Sequence, residues 1–184
     1  MENYQKETEK IISSFKPGEK PSLLLHACCG PCSSYVLEYL SSVFNITVFY
    51  YNPNIFPESE YTKRMQEQIK YCEKLGVKYA VLEYNHDAWR DAVRGYESAP
   101  ERGHRCSLCF EYRFRRAEKF ARENGYNAIA SVLGVSRHKS QPQVDTAAQN
   151  VCGDIEYVPI KWDEDLRVQI NRVSDFYRQN YCGC

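Results

Sequence analysis

No apolar run in this chain approaches the roughly 20 residues of a membrane span, and even Leu23-Leu24-Leu25 is cut off by His26. The start, Met1-Glu2-Asn3-Tyr4-Gln5-Lys6-Glu7, lacks the apolar core of a secretory signal, so the thiols are expected to be reduced. A soluble, cytoplasmic protein without a membrane partner is the expectation. Net charge is missing as well, because 24 Lys and Arg balance 24 Asp and Glu. That excludes a uniformly basic nucleic-acid binder. Repeats, linkers and low-complexity segments are also lacking, and 184 residues suit one domain, 1–184, with a full core of its own. Such a core needs no metal or disulfide for stability, so a metal here would serve chemistry.

Cysteine is what the chain has in excess. Seven of its nine cysteines fall in three clusters, Cys28-Cys29-Gly30-Pro31-Cys32, Cys106-Ser107-Leu108-Cys109 and Cys182-Gly183-Cys184. A tetrahedral zinc site uses about four ligands, so seven thiols in one place would suggest an iron-sulfur cluster with a second metal beside it. Taken singly, each cluster has rivals: a redox Cys-x-x-Cys pair, half a zinc site, or buried cysteines. Cys28 and Cys29, being adjacent, are expected to point apart and to serve different metals. Cys32 in a first helical turn is expected to be favoured as a thiolate. Cys72 belongs to an apolar helix stripe with Tyr61, Met65 and Ile69 and reads as core.

The spacing of apolar residues predicts strands at 22–27, 46–51, 77–82, 128–133 and 156–160. Helices are predicted at 31–43, 59–75, 88–94, 107–123, before Asn150, and at 166–179. Strand and helix alternate, which predicts an α/β fold, a doubly wound parallel sheet of about five strands. Ligands of such sheets bind beyond the carboxyl ends of the strands. Cys28 and Cys29 follow the first strand, Asn52 the second, and Ser136 to Lys139 the fourth, so one rim gathers these residues.

From Arg102 to Arg122 seven basic residues face two acids, Glu111 and Glu118, a local charge of +5 around the second cysteine cluster. That segment reads either as a polyanion-binding face or as a solvated helix face balanced by acids elsewhere. Histidine is scarce, with four in the chain. His26 reads as a hydrogen-bonded core residue, while His86, His104 and His138 are expected in solvated loops.

Leu25-His26-Ala27-Cys28-Cys29-Gly30-Pro31-Cys32-Ser33, Tyr51-Asn52-Pro53-Asn54-Ile55, Glu60-Tyr61-x-x-Arg64, Arg105-Cys106-x-x-Cys109 and Tyr177-Arg178-Gln179-x-Tyr181-Cys182-Gly183-Cys184 together resemble the cobalamin-independent epoxyqueuosine reductase family, QueH. The resemblance implies a HUP/Rossmann-like fold of the nucleotide-hydrolase type and reduction of epoxyqueuosine to queuosine at the wobble position of tRNA. It implies a 4Fe-4S cluster and an additional iron ion, with Cys28, Cys29, Cys32, Cys106, Cys109, Cys182 and Cys184 as the ligand pool. The chain departs from the family pattern at Phe56, where relatives often carry His, and matches its serine and lysine loop loosely at Ser136-Arg137-His138-Lys139.

Opening an epoxide to an alkene and water takes two electrons and two protons. The implied cluster and iron would supply the electrons, with an external low-potential donor recharging them. Lys139 and Tyr181 are the candidate proton donors. Asn52, Glu60, Arg64, Arg105 and Ser136 are candidates for shaping the pocket or reading the nucleoside, although Glu60 and Arg64, four apart on a helix, can also pair with each other. Two other classes compete. An ATP-using tRNA-modifying enzyme would need a Ser-Gly-Gly element where Cys28 to Ser33 stands. A non-catalytic zinc-binding nucleic-acid module would leave three thiols without a role.

Overall fold

The computed structural model describes residues 9–11, 13–15, 18, 20–136, 138–160, 176–179 and 181–184. Its centre is a parallel sheet of β1 (Ser22–His26), β2 (Asn45–Tyr50), β3 (Lys78–Val81), β4 (Ala128–Ser131) and β5 (Glu156–Val158), in the order β3-β2-β1-β4-β5. β1 is central and pairs on both sides, Leu23 lying opposite Ile46 and Ala128, and His26 opposite Phe49 and Ser131. A strand covered on both faces has no need to alternate. Hence Leu23, Leu24 and Leu25 form an unbroken apolar run and are all fully buried. Each such side chain removed from water contributes about 1.5–3 kcal/mol.

The helices are α1 (Gly30–Leu40), α2 (Glu58–Leu75), α3 (His86–Ala92), α4 (His104–Glu123) and α5 (Gln141–Cys152). From β1 the chain winds outward through β2 to β3, then returns to the other side of β1 for β4 and β5. Right-handed crossovers therefore put α1 and α2 on one face of the sheet and the later helices on the other. The contacts agree: α1 packs on α2, and α4 packs on α5. The reversal opens a crevice between β1 and β4, into which their following loops lead.

The expected α/β architecture is present, with shifted ends. α4 begins at His104 rather than Ser107, so Cys106 lies inside its first turn. β4 stops at Ser131, where a 3-10 turn at Leu133–Val135 takes over, and β5 stops at Val158. Of the helix expected at 166–179, residues 166–175 lie outside the described residues, and 176–179 are irregular rather than helical. Among the described residues no helix is long and apolar enough to cross a membrane.

Candidate metal centre

β1 delivers the first cysteines. Its last residue, His26, is fully buried and held at both ring nitrogens, Nε2 donating to the Tyr51 carbonyl at 3.1 Å and Nδ1 lying 3.2 Å from Ser131 Oγ. Because a carbonyl only accepts, Nδ1 is left to accept from the hydroxyl. Burial, aided by the charge of Arg113, lowers the His26 pKa to about 3, so the ring is neutral. His26 is thus a core residue, and it locks the strand end from which Cys28 and Cys29 follow.

The sulfurs of Cys28, Cys29 and Cys32 all lie within 4.8 Å of one another, those of Cys28 and Cys29 being 3.8 Å apart. This corrects the expectation that adjacent cysteines diverge. Two sulfurs bound tetrahedrally to one metal at about 2.3 Å stand about 3.8 Å apart, so the pair fits a shared ion. Hydrogen bonds from Cys29 and Cys32 hold the Cys28 thiol well below its ordinary pKa, whereas the hydrogen bonds to Cys28 and Cys29 push Cys32 up. The three thiols thus share one negative charge through their mutual hydrogen bonds.

α4 supplies Cys106 and Cys109, both buried and one turn apart. Cys109 packs with Trp89 and Val93. Burial raises its thiol pKa, while the nearby Arg113 charge pulls it down and Cys182 pushes it up. The third group arrives on an irregular segment. A hydrogen bond from Cys184 holds Cys182 at about 5 against its burial, with Lys139 and Arg113 assisting and Cys28 opposing. Cys182 thus feels Cys28 and Cys184 and itself acts on Cys109, so one member of each cluster lies near it.

One face of α2 docks that last segment. Residues at 60, 64, 67 and 71 share a helical face, and each holds part of it. Tyr177 Oη donates to Glu60 Oε2 at 2.9 Å, and Lys63, next to that face, lies over the Tyr177 ring. The Tyr177 amide donates to Glu67, and Phe176 meets Tyr71 edge-on at 4.9 Å between centroids. Arg64 Nε pairs with Glu60 Oε1 at 2.6 Å, and Arg64 Nη1 donates to the Cys182 carbonyl at 3.0 Å. The Phe56 amide donates to the Gly183 carbonyl at 2.8 Å. Gly183 has φ +107°, and a Cβ there would crowd Arg64 Nη1 at 3.0 Å, so glycine is required twice over. A Cβ on Gly30 would strike the Phe176 ring at 2.8 Å, so the first cysteine loop and the last segment lie in contact.

The other candidates divide. Lys139 is buried and faces Cys28, Cys182 and Cys32. Burial would lower its pKa, but those thiols raise it well above the ordinary value, so it keeps its proton. Ser136 shapes the preceding turn, its carbonyl accepting from the Lys139 amide at 2.9 Å. Asn52 is fully enclosed, donating to the Ala27 carbonyl at 2.9 Å and accepting from Arg113. Glu60 and Arg64 pair with each other beneath the last segment. Arg105 donates to the Glu97 carbonyl at 2.6 Å and its charge reaches Cys184. Tyr181 is exposed, with the Arg64 guanidinium 5.0 Å from its ring centroid.

Cys72 is buried in the core, as is Cys152. His86 and His104 open α3 and α4 instead of lying in loops, and His138 sits 3.2 Å from Glu101. Four of the seven basic residues of that stretch are paired, Arg115 with Glu111 and Arg122 with Glu118 inside it, and Arg116 with Glu83 and Lys119 with Glu123 outside it. Arg113 turns inward and was overlooked as a site residue. Its position four after Cys109 puts it on the same helical face, which is the signal that could have found it.

The epoxyqueuosine reductase QueH family model matches residues 23–184. The chain belongs to the QueH family. It is 38% identical over 176 residues to the epoxyqueuosine reductase QueH of Acinetobacter baylyi, covering 91% of this chain and 81% of that one. With the QueH of Histophilus somni it shares 39% over 171 residues, covering 88% and 70%. With that of Thermotoga maritima it shares 28% over 177 residues, covering 89% and 88%. Among solved structures, the U34-tRNA thiolase NcsA of Methanococcus maripaludis, with its [4Fe-4S] cluster, superposes with a TM-score of 0.60 at 14% identity, covering 98% of this chain and 68% of NcsA. A predicted tRNA methyltransferase subunit from Methanocaldococcus jannaschii gives 0.57 at 14% identity, covering 82% and 74%. These two likenesses establish the fold.

The donors around the thiols test whether this QueH chain suits an anionic metal group. Among the described residues Arg64 Nη2, Trp89 Nε1, Arg105 Nε and Arg113 Nε are buried without an oxygen or nitrogen acceptor, and Trp89 and Arg113 turn to the Cys109 thiol instead. All four side chains border the cysteines, through Cys182, Cys109, Cys184 and Cys109 respectively. Orphaned buried donors are rare and costly, and donors gathered at one place call for an acceptor there. Thiolates and inorganic sulfide are such acceptors, so the residues fit.

Proposed function

We propose that this chain reduces the epoxide of epoxyqueuosine, at the wobble position of a tRNA anticodon loop, to the alkene of queuosine. It acts as one domain over 1–184 in the cytoplasm, holding a 4Fe-4S cluster and an additional iron ion on Cys28, Cys29, Cys32, Cys106, Cys109, Cys182 and Cys184. The observation that supports the reading best is the Cys28-Cys29-Cys32 triad, its sulfurs within 4.8 Å of one another, with Cys182 close enough to feel Cys28 and to act on Cys109.

The overall change consumes the epoxide, two electrons and two protons, and releases the alkene and water. When bound, the metal group supplies the electrons and a Lewis acid for the departing oxygen, and an external low-potential donor restores them. Lys139, kept protonated among the thiols, delivers a proton to that oxygen as negative charge grows on it. Tyr181, at the exposed edge of the same rim, supplies the second. Asn52 fixes the loop after β1 by bridging Ala27 and Arg113, and Ser136 sets the turn that aims Lys139. Glu60 and Arg64 hold the segment bearing Cys182 and Cys184, and Arg105 offers its charge to the tRNA backbone beside Cys184.

Phe56 receives the modified base. It is 61% exposed, stacks on His86 at 5.1 Å, and its amide holds Gly183 between two cysteines. Aromatic faces of this kind stack on bases presented from loops. The test is anaerobic purification with iron, zinc and acid-labile sulfide assays, followed by mass spectrometry of nucleosides from epoxyqueuosine-tRNA treated with protein and reductant. About four sulfides and more than about four irons per chain, with loss of one oxygen from the nucleoside, are expected. Zinc without sulfide, and an unaltered nucleoside, would replace this reading with that of a zinc-binding nucleic-acid module.

A further inference from the structure

We propose that Arg113 and Lys139 are the internal counter-charge of the cysteine centre, raising the reduction potential of the iron-sulfur group that the centre holds. The inference rests on the function proposed above and extends it to two residues of this chain acting on that group. Arg113 is 1% exposed. A guanidinium so enclosed loses several kcal/mol of hydration unless an anion compensates it. Among the described residues no carboxylate pairs with it. Its Nη2 donates to Asn52 Oδ1, a neutral acceptor whose orientation is set by the bond from Asn52 Nδ2 to the Ala27 carbonyl. Among the described residues its Nε has no oxygen or nitrogen acceptor, and the side chain hydrogen-bonds to the Cys109 thiol.

The second cation makes the need for an anion stronger. Lys139 is also buried, and the two like charges repel. His26, which feels both, is hydrogen-bonded as a neutral ring and contributes no charge. The anionic groups facing Arg113 are thiols, those of Cys28, Cys109 and Cys182, and those facing Lys139 are Cys28, Cys32 and Cys182. The overlap at Cys28 and Cys182 puts the negative charge between the two cations. A thiolate-ligated cluster is anionic and gains one more negative charge on reduction, so fixed positive charge beside it favours the reduced form. Arg113 is anchored by Asn52, which is itself fixed on the Ala27 carbonyl, and this makes it the stronger determinant.

The experiment compares the wild type with Arg113→Gln, Arg113→Lys and Lys139→Gln. All are purified anaerobically, checked for folding by circular dichroism, assayed for iron and sulfide, and titrated for the midpoint potential by absorption and electron paramagnetic resonance. Arg113→Gln and Lys139→Gln should each shift the one-electron equilibrium about tenfold toward the oxidised form, about 59 mV more negative. Arg113→Lys, which keeps the charge, should restore most of it. An Arg113→Gln protein that is folded, loaded and unmoved in potential overturns the inference. If that variant does not fold, an unmoved Lys139→Gln, or an Arg113→Lys shifted by the full tenfold, does the same. A wild type without iron and sulfide overturns the proposed function together with the inference, whereas a loaded wild type with unmoved variants overturns the inference alone.

Discussion

Replacing Arg64 by methionine should loosen the last cysteine pair without dismantling the sheet. The side chain is 2% exposed and carries two roles, the ion pair with Glu60 and the bond from Nη1 to the Cys182 carbonyl. Methionine keeps much of the packing and loses both. A hydrogen bond from a charged donor contributes about 1.5–3 kcal/mol, so undocking of the segment should become about 10- to 150-fold more frequent. The unpaired Glu60 carboxylate adds a cost to the whole fold, which Glu60→Gln in the same chain removes. The reporter is the Phe56 amide, whose partner is the Gly183 carbonyl, with the Ala27 amide, bonded to Phe49 within the sheet, as reference. Hydrogen exchange at Phe56 should accelerate by that factor in the metal-free double variant while Ala27 changes far less. Protection at Phe56 that stays at the wild-type value in a folded variant would show that Arg64 does not hold the segment.

Cys28→Ser and Cys109→Ser should each lower iron bound per chain, whereas Cys72→Ser and Cys152→Ala should leave it unchanged; a loss with the core variants would mean that metal content reports stability alone. Phe56→Ala should raise KM for tRNA about 5- to 150-fold, the loss of about 1–3 kcal/mol for one stacked base, with kcat nearly kept; a fall confined to kcat would instead put Phe56 in the chemistry. Burial raises Cys152, Tyr61 and Tyr71 to about 12, so the unfolded chain gives up these protons first as pH rises. The stability that these three groups contribute should therefore be complete below about pH 9 and fall between about pH 9 and pH 12, by at most about 1.36 kcal/mol per pH unit per group. Cys152→Ala should flatten the lower part of that fall in urea titrations.

The fold was legible because β1 carries the unbroken apolar run Leu23-Leu24-Leu25 and each later strand is separated from the next by a helix-length segment. Parallel pairing follows from those two facts. The positions of the cysteines on one rim followed from the same pattern, since loops after β1 and β4 must open at the same edge. Side-chain direction was not legible. Adjacent Cys28 and Cys29 bring their sulfurs within 3.8 Å at the junction where β1 ends and α1 begins, and an alternation rule for regular strands does not reach that junction. The apolar stripe on α2 was visible, and so was the pairing of Glu60 with Arg64, but not that the last segment would cover this pair, nor that Gln68 would be buried against Ser33 of α1. Arg113 was hidden among basic neighbours that differ from it only in the helical face they occupy.

The docking of the last segment on α2 also orders the protein's assembly. All five strands precede residue 160, so the sheet can form while synthesis continues, in the N-to-C order in which chains emerge. The thiols of Cys182 and Cys184 emerge after that sheet, and their seat is the finished surface of α2 and the Phe56 amide. A nascent chain therefore exposes the Cys28-Cys29-Cys32 triad as a half-built cradle, open to stray copper or zinc and to oxidants, until translation passes Cys184.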